Sequence, residues 1–331
     1  MYKFWTLLLL AMFTLALVPT DAEAQVFTQR KRYSSLGLTL GAGNYFGDIV
    51  PEPDFTSFRV KSTRPSVALN YTYRYAPRIS FRTGLQWIRI MGDDILSASL
   101  NEAENAGRYK RNLSFRNDLK ELSLGVVIDL FENSETYARR PDFVPFAFVG
   151  VAVFHHNPKT YYISGLREGL AAENDIPTGW YELQPLGTEG QYAKTGDYPD
   201  PYKRIQIAIP FGLGARYKLD RYWDLSLEIT WRKTFTDYLD DSSAGFAWKS
   251  DILNGGGENP VAATILSDRS AETEFQTIQD PSGTPYHLVP SYGTPANQRR
   301  GNKSDDDWYI TTGLTISYII QPGFLRAKFR Y

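Results

Sequence analysis

From Tyr222 to Asp241 the chain reads YWDLSLEITWRKTFTDYLDD, and apolar and polar positions alternate along it. Trp223, Leu225, Leu227, Ile229, Trp231 and Phe235 fall on one side, interrupted only by Lys233. Asp224, Ser226, Glu228, Thr230, Arg232, Thr234 and Thr236 fall on the other. A period of two marks a strand whose two faces meet different surroundings. Here the apolar face is bracketed by aromatics and the polar face carries charges of both signs. That is the distribution of a transmembrane β-barrel strand, with lipid outside and a polar lumen inside.

The same alternation recurs along the chain. Leu36, Leu38, Leu40 and Ala42 oppose Gly37, Thr39, Gly41 and Gly43 in a first strand over Ser34–Phe46. Val67, Leu69, Tyr71, Tyr73 and Tyr75 mark a second strand, and Ile79, Phe81, Thr83, Leu85 and Trp87 a third. The fourth is clear at Leu122, Leu124, Val126, Ile128 and Leu130; an earlier start near Leu113 requires a slip of phase. The fifth, Phe143–His155, is apolar on both faces, so its outward side stays open. The sixth runs from Ile205 to Tyr217 with Pro210 in its middle, where a bulge is expected because proline cannot donate to the ladder. Tyr222–Asp241 is the seventh and Trp308–Ile320 the eighth. Between them the connections run long, short, long, medium, long, short, long, the longest being 157–202 and 242–307. A soluble sandwich has no reason to sort its loops in this way. The expectation is an all-β fold: an eight-stranded antiparallel transmembrane β-barrel with long extracellular loops and both termini periplasmic.

Composition narrows the picture. A net charge of −1 removes the electrostatic case for nucleic acid as a partner. The absence of Cys excludes disulfides, Cys-ligated zinc and iron–sulfur clusters. The mean hydropathy of −0.36 argues against a helical membrane protein but not against a barrel, whose strands are only half apolar. At the N-terminus, Lys3, the apolar run Phe4–Val18 and Ala22-Glu23-Ala24 read as a signal peptide over 1–24, cleaved after Ala24. Residues 25–331 then form one barrel domain in the outer membrane, with outer-membrane lipids as its surroundings.

An eight-stranded barrel is just wide enough for side chains to fill. Arg74, Arg82, Arg216 and Arg232 face Glu121, Asp129, Asp224 and Glu228, and are expected to form a lumen ion-pair network that plugs the barrel, since buried charges are costly unless paired. His155-His156 at a strand end invites a metal or hydrolase reading, with a lipid-modifying enzyme as the extreme case. Neighbours on a strand point to opposite faces, however, and form no ready chelate. No G-x-S-x-G, H-E-x-x-H or P-loop sequence occurs, so neither catalysis nor a cofactor is expected. Asp237, Asp240 and Asp241 close the seventh strand, while Asp305, Asp306 and Asp307 precede the eighth. If those strands pair, the two clusters meet at the rim as a weak calcium candidate. The tail from Phe324 to Tyr331 ends in an aromatic residue with basic residues interleaved, which fits a barrel-insertion signal, a periplasmic docking strand or a disordered end equally.

Four stretches carry a family likeness, and the last of them is not required at a rim by barrel physics. They are Gly43-Asn44-Tyr45-Phe46-Gly47-Asp48-Ile49, Leu183–Gln191 (LQPLGTEGQ), Ile209–Gly214 (IPFGLG) and Thr236-Asp237-Tyr238-Leu239-Asp240-Asp241. On these motifs the chain resembles the PorG-like family of Bacteroidetes outer-membrane barrels, a component of type IX secretion. The resemblance implies a scaffold that links a periplasmic ring lipoprotein and its partner protein to the outer membrane. It brings no catalytic residues. A general OmpA-like structural or surface-binding barrel is the alternative.

Overall fold

The computed structural model describes residues 31–49, 62–98, 106–165, 175–272, 276–279, 285–288 and 300–320. The segment read as a signal peptide and the C-terminal tail lie outside these described residues. The chain forms β1 (Ser34–Phe46), β2 (Arg64–Arg74), β3 (Ile79–Asp93), β4 (Ser114–Asp129), β5 (Phe143–His155), β6 (Lys159–Tyr162), β7 (Gly179–Glu182), β8 (Ile205–Lys218), β9 (Trp223–Thr234), β10 (Gln276–Gln279), β11 (Pro285–Leu288) and β12 (Trp308–Ile320). Eight of them are long and pair antiparallel in the order β3-β2-β1-β12-β9-β8-β5-β4, with β3 pairing to β4 to close the ring. The seam joins the first and last strands along their whole length, from Ser34↔Ile320 to Phe46↔Trp308. The short strands β6 and β7 form a hairpin that extends β4 at Arg116↔Lys159.

Alternation decides which way each strand faces. Leu36, Leu38 and Leu40, then Leu122 and Leu124, then Leu225 and Leu227, are all exposed on the outside, although each is a residue that water would drive inward. The belt they form is the surface of a barrel that spans a bilayer. Inside lie charges, hydroxyls and glycines. The open question of β5 is settled by register: Val149, Val151 and Val153 face outward, and Phe146, Phe148 and Phe154 face the lumen. Two of those rings carry cations, with Arg82 stacked 3.8 Å over Phe148 and Arg216 5.6 Å from Phe146. The second apolar face of β5 is therefore a set of seats for the lumen arginines.

Two expectations about strands need correction. β4 has no slip of phase, because its register with β3 runs unbroken from Ile79↔Ile128 to Asp93↔Ser114. What changes is the polarity of the two faces. Up to Leu122 the outward residues are apolar; above it Lys120, Asp118 and Arg116 point out, while Leu119, Phe115 and the β3 residues Ile88 and Ile90 are buried inside. The strands leave the bilayer at that level, so oil and water exchange sides. Pro210 makes no bulge either, since pairing with β5 and with β9 keeps one register on both sides of it. The rungs opposite Gly150 and Val151 are simply missing, so the lost donor is absorbed as a gap in the ladder.

The short connections and the barrel ends of β1 and β12 share one end; the long connections crowd the other. There they fold into a roof. The 157–202 and 242–307 segments, expected as loops, contain the β6–β7 hairpin, the β10–β11 pair and the helices α1 (Lys249–Leu253) and α2 (Pro260–Leu266). Asn259 caps α2 by accepting a hydrogen bond from the Ala262 amide at 3.0 Å, and Pro260 occupies the first turn, where its missing N–H costs nothing. The buried face of α2, Ala262, Ala263, Ile265 and Leu266, packs on Tyr162, Leu183, Leu186 and Ile252. The roof thus has an apolar core of its own. A second core, of Tyr45, Ile88, Ile90, Leu119, Phe154 and Leu239 among others, fills the barrel mouth beneath it.

Candidate functional site

Within the lumen the eight charged residues settle at different heights. Near the short-turn end Asp129 accepts from both Arg74, at 2.9 Å, and Arg216, at 2.5 Å. At mid-height Arg82 grips Glu228 with two hydrogen bonds, of 2.5 and 3.0 Å. Near the mouth Arg232 binds Glu121 at 2.8 Å and also reaches Thr311 and Gln86. Asp224 takes a partner that strand reading misses, Arg140 at 2.8 Å, which enters from the β4–β5 connection. That arginine also donates to the carbonyls of Tyr137, Asp220, Arg221 and Trp223, and so pins two turns to the lumen floor. A cavity of about 50 Å³ remains between Arg74, Arg82, Arg216 and Glu228. A space of that size holds a few waters.

The motif residues meet at the mouth. Tyr45, near the end of β1, donates its hydroxyl to Asp307 at 2.7 Å across the seam. The second Asp307 oxygen accepts from the Leu239 amide at 2.8 Å, and the Asp307 amide donates to the Thr236 carbonyl at 3.0 Å. Held at both sides, Leu239 drops its side chain into the core of the mouth, and its carbonyl accepts from Asn117 at 2.8 Å. Leu239 is the stopper of the barrel. Gly47 is required beside this knot, because a Cβ there would lie 2.0 Å from both the Tyr45 hydroxyl and Asp307 Oδ1. Asn44 in the same motif accepts from Thr63 at 2.9 Å, tying down the start of the chain leading into β2. Asp48 accepts the Asn302 amide at 2.8 Å, and its carbonyl receives Arg111, which is itself clamped on Asp94 at 2.7 and 2.8 Å.

A second knot lies above the first. Arg300 is buried and contacts Glu189 at 3.1 Å and Asp241 at 3.3 Å, while also donating to the Asp241 and Ser267 carbonyls. Asp241 additionally accepts from Thr188 and from Tyr202. Glu189 accepts the Ser243 amide at 2.9 Å. Two sequence motifs far apart in the chain, Leu183–Gln191 and Thr236–Asp241, are therefore bound through one arginine that neither contains. Asp241 itself sits at φ 69°, a left-handed conformation that aspartate tolerates and that these bonds hold in place. Tyr202 stacks between Tyr238, 4.5 Å away, and His156, 5.7 Å away. The ring of His156 is buried, bonds the Lys203 carbonyl at 3.1 Å, and is pushed down to about 4 by loss of solvent, so it stays neutral. His155 points to the outer rim instead, as strand alternation requires.

The calcium candidates separate. Asp241 is spent on Arg300, Asp306 pairs with Lys233 at 3.1 Å on the outer rim, and Asp305 is exposed. Asp237, Asp240 and Asp307 are buried together, with Asp48 close by. Among the described residues no group of three or more His, Asp or Glu side chains is arranged to hold a metal ion. Neither oxygen of Asp237 nor Oδ2 of Asp240 has a hydrogen-bond partner, although Ser243 lies alongside Asp237. Burial, helped by the charges of Asp48 and Asp240, pushes the Asp237 carboxyl up to about 9. Burial raises Asp240 and Asp307 as well, each further raised by acidic neighbours. Asp237 therefore keeps its proton at neutral pH, and its neighbours Asp240 and Asp307 are pushed in the same direction.

Residues 9–175, half of the 331-residue chain, match a family described as a domain of unknown function, DUF6089. The chain belongs to that family. The match takes in β1 to β6 and the Gly43–Ile49 motif and stops before Thr236–Asp241. No curated protein matches. Among solved structures, Ail of Yersinia pestis, in complex with the heparin analogue sucrose octasulfate, is similar at a TM-score of 0.34 and 6% identity, over 88% of this chain and 99% of that one. OprG from Pseudomonas aeruginosa gives 0.34 and 8%, over 87% and 96%. The outer membrane protease OmpT from Escherichia coli gives 0.35 and 10%, over 90% and 100%. Likenesses at these scores carry no argument, and the barrel of this DUF6089 member rests on its own strand pairing.

Proposed function

We propose that this DUF6089 protein is a non-enzymatic outer-membrane barrel, plugged along its lumen and roofed at one end, that serves as a scaffold or accessory component of type IX secretion. In this reading the short turns face the periplasm and meet the ring lipoprotein and its partner, and the roof faces outward. The observation that carries the scaffold reading is how the motif residues are used. Tyr45, Asp48, Leu239 and Asp241 direct polar groups to neighbouring motif and roof residues, which supports a structural part for the motifs. The secretion role draws on the resemblance in the four motifs. Its test is affinity purification of the full chain from native membranes, followed by deletion of the gene. Recovery of a periplasmic ring lipoprotein and loss of secretion of cargo bearing the C-terminal secretion signal are expected; secretion unchanged in the deletion strain refutes the role.

One observation favours the second reading, a general OmpA-like barrel with a surface-binding roof. Three of the four motifs cluster at the long-loop end, far from the turns where a periplasmic partner would dock, while Ile209–Gly214 runs down β8 to the level of Glu228. On that account they mark the roof and not an interface. A strain that secretes normally but loses attachment to a surface partner, together with purification that brings down no ring component, would decide for it.

A further inference from the structure

The outer rim of the barrel is not evenly charged. Where β3, β4, β5 and β8 leave the apolar belt, one line of outward residues runs Trp87↔Lys120, Lys120↔His155 and His155↔Ile205. The next line down is Leu85, Leu122, Val153 and Ile207, each about half exposed on the lipid side. Above and beside Lys120 stand Arg89, Arg116, Lys159 and Arg204. These five cations share two carboxylates: Asp118 takes Arg89 at 2.7 Å and Arg116 at 3.8 Å, and Glu182 takes Lys159 at 2.8 Å and Arg204 at 3.2 Å. Lys120 is exposed. Arg116 and Arg204 keep 29% and 30% of their side chains exposed despite these pairs.

The β9–β12 side of the rim differs: there Lys233 meets Asp306 one to one and lies over Trp308. An excess of partly exposed cations directly above a lipid-facing wall has a natural counter-charge. Bilayers place phosphate at that depth, with acyl chains just below it. Aromatic side chains fix the level: Trp180 is stacked on by Arg116 at 4.0 Å and sits against Tyr161, in the manner of interfacial anchors.

We infer that this arc is a binding site for the phosphate of an anionic membrane lipid, held by Lys120, Arg116 and Arg204 with its chains along Leu122 and Val153. The inference rests on the reading of the chain as a membrane barrel, but not on which membrane it occupies or on a part in secretion. The guanidinium donors supply the fork geometry that phosphate oxygens accept. Each basic group removed near a bilayer surface weakens anionic-lipid binding by about fivefold.

The test uses the full chain purified in mild detergent and native mass spectrometry, with phosphatidylglycerol as the probe and phosphatidylcholine as its zwitterionic comparison. The wild type is expected to retain phosphatidylglycerol over phosphatidylcholine. Lys120→Gln should lower that preference about fivefold and Lys120→Gln with Arg204→Gln about twenty-fivefold, whereas Lys233→Gln leaves it unchanged. A gel shift on heating checks that each variant keeps its folded barrel; Lys120→Gln removes no ion pair and serves if the double variant does not fold. Equal retention of both lipids, an unchanged preference in Lys120→Gln, or displacement of the lipid by excess inorganic phosphate overturns the inference. Fractionation of the same cells tests the outer-membrane reading separately, so either conclusion can fail alone.

Discussion

Replacing Arg300 by methionine tests the roof directly. The methionine keeps most of the apolar volume but removes the donors that Glu189, Asp241 and the Ser267 carbonyl receive. All three side chains are at most 2% exposed, so no solvent stands ready to replace the guanidinium. Removing one partner of a buried ion pair costs about 3–5 kcal/mol, because the other charge is stranded. Two carboxylates are stranded here, yet both already lean towards protonation through burial, which lets them shed part of the penalty as proton uptake. A cost near the lower end, about 3 kcal/mol, is expected, which is a factor of roughly 150 in the opening equilibrium of the roof. The barrel beneath has its own hydrogen-bonded ring and lumen pairs and should not feel the change. The assay is hydrogen exchange of the protein in detergent, read by mass spectrometry. Peptides covering 183–191 and 239–247 should exchange about two orders of magnitude faster, while those from β2, β8 and β9 stay as they were. Arg300→Lys, which keeps the charge but not the fork, should fall between. If the roof peptides exchange at wild-type rates, or if roof and barrel loosen together, the account of Arg300 as the tie between two motifs is wrong.

The acidic cluster should make the roof sensitive to pH. Asp237 has a folded value near 9 against an unfolded value of about 3.9, so between those limits the folded state binds a proton that the unfolded chain does not. Its stabilising contribution is complete below about pH 4 and is lost as the pH rises towards 9; roof exchange should therefore quicken from pH 5 to pH 9, and Asp237→Asn should flatten that slope and slow exchange at pH 8 by the equivalent of ~1–3 kcal/mol. Gly47→Ala should prise Tyr45 from Asp307, visible as faster exchange at 236–241 with a cost of ~1–3 kcal/mol. Leu239→Ala should cost ~2–5 kcal/mol by opening a cavity in the mouth, and planar-bilayer recordings should still show a closed barrel because the lumen pairs below it are untouched. Arg82→Met should strand Glu228 and lower the thermal midpoint of the barrel itself, with a cost of ~3–5 kcal/mol.

The barrel is legible in the sequence wherever lipid and lumen lie on opposite sides of a strand. At Tyr222–Thr234 the two surroundings write the pattern directly. Legibility ends where a strand leaves the bilayer: at Lys120 the faces exchange polarity with no change of register, which a period-two reading can only describe as a slip. β5 is ambiguous for another reason, since Phe146 and Phe148 are lumen residues whose task is to seat arginines, and cation–π seats look like core. Thr236–Asp241 stood out as a stretch the bilayer does not demand, but its partners did not. Arg140, Arg111 and Arg300 lie in connections without periodicity, and their ties span up to 189 residues, as in Arg111 to the Arg300 carbonyl. Nothing local announces a contact of that reach.

The position of the Tyr45–Asp307 bond gives the roof an order of assembly. Tyr45 belongs to the first strand, and Asp307 immediately precedes the last. The two residues cannot meet until β12 has been added to β1, which is the step that turns an open sheet into a ring. A chain halted during insertion can have every other strand in place and still lack its stopper. The aspartates and leucine of that unfinished mouth would stand open to proteases and chaperones. The bond thus works as a completion mark: only a barrel that has zipped its seam acquires a closed surface.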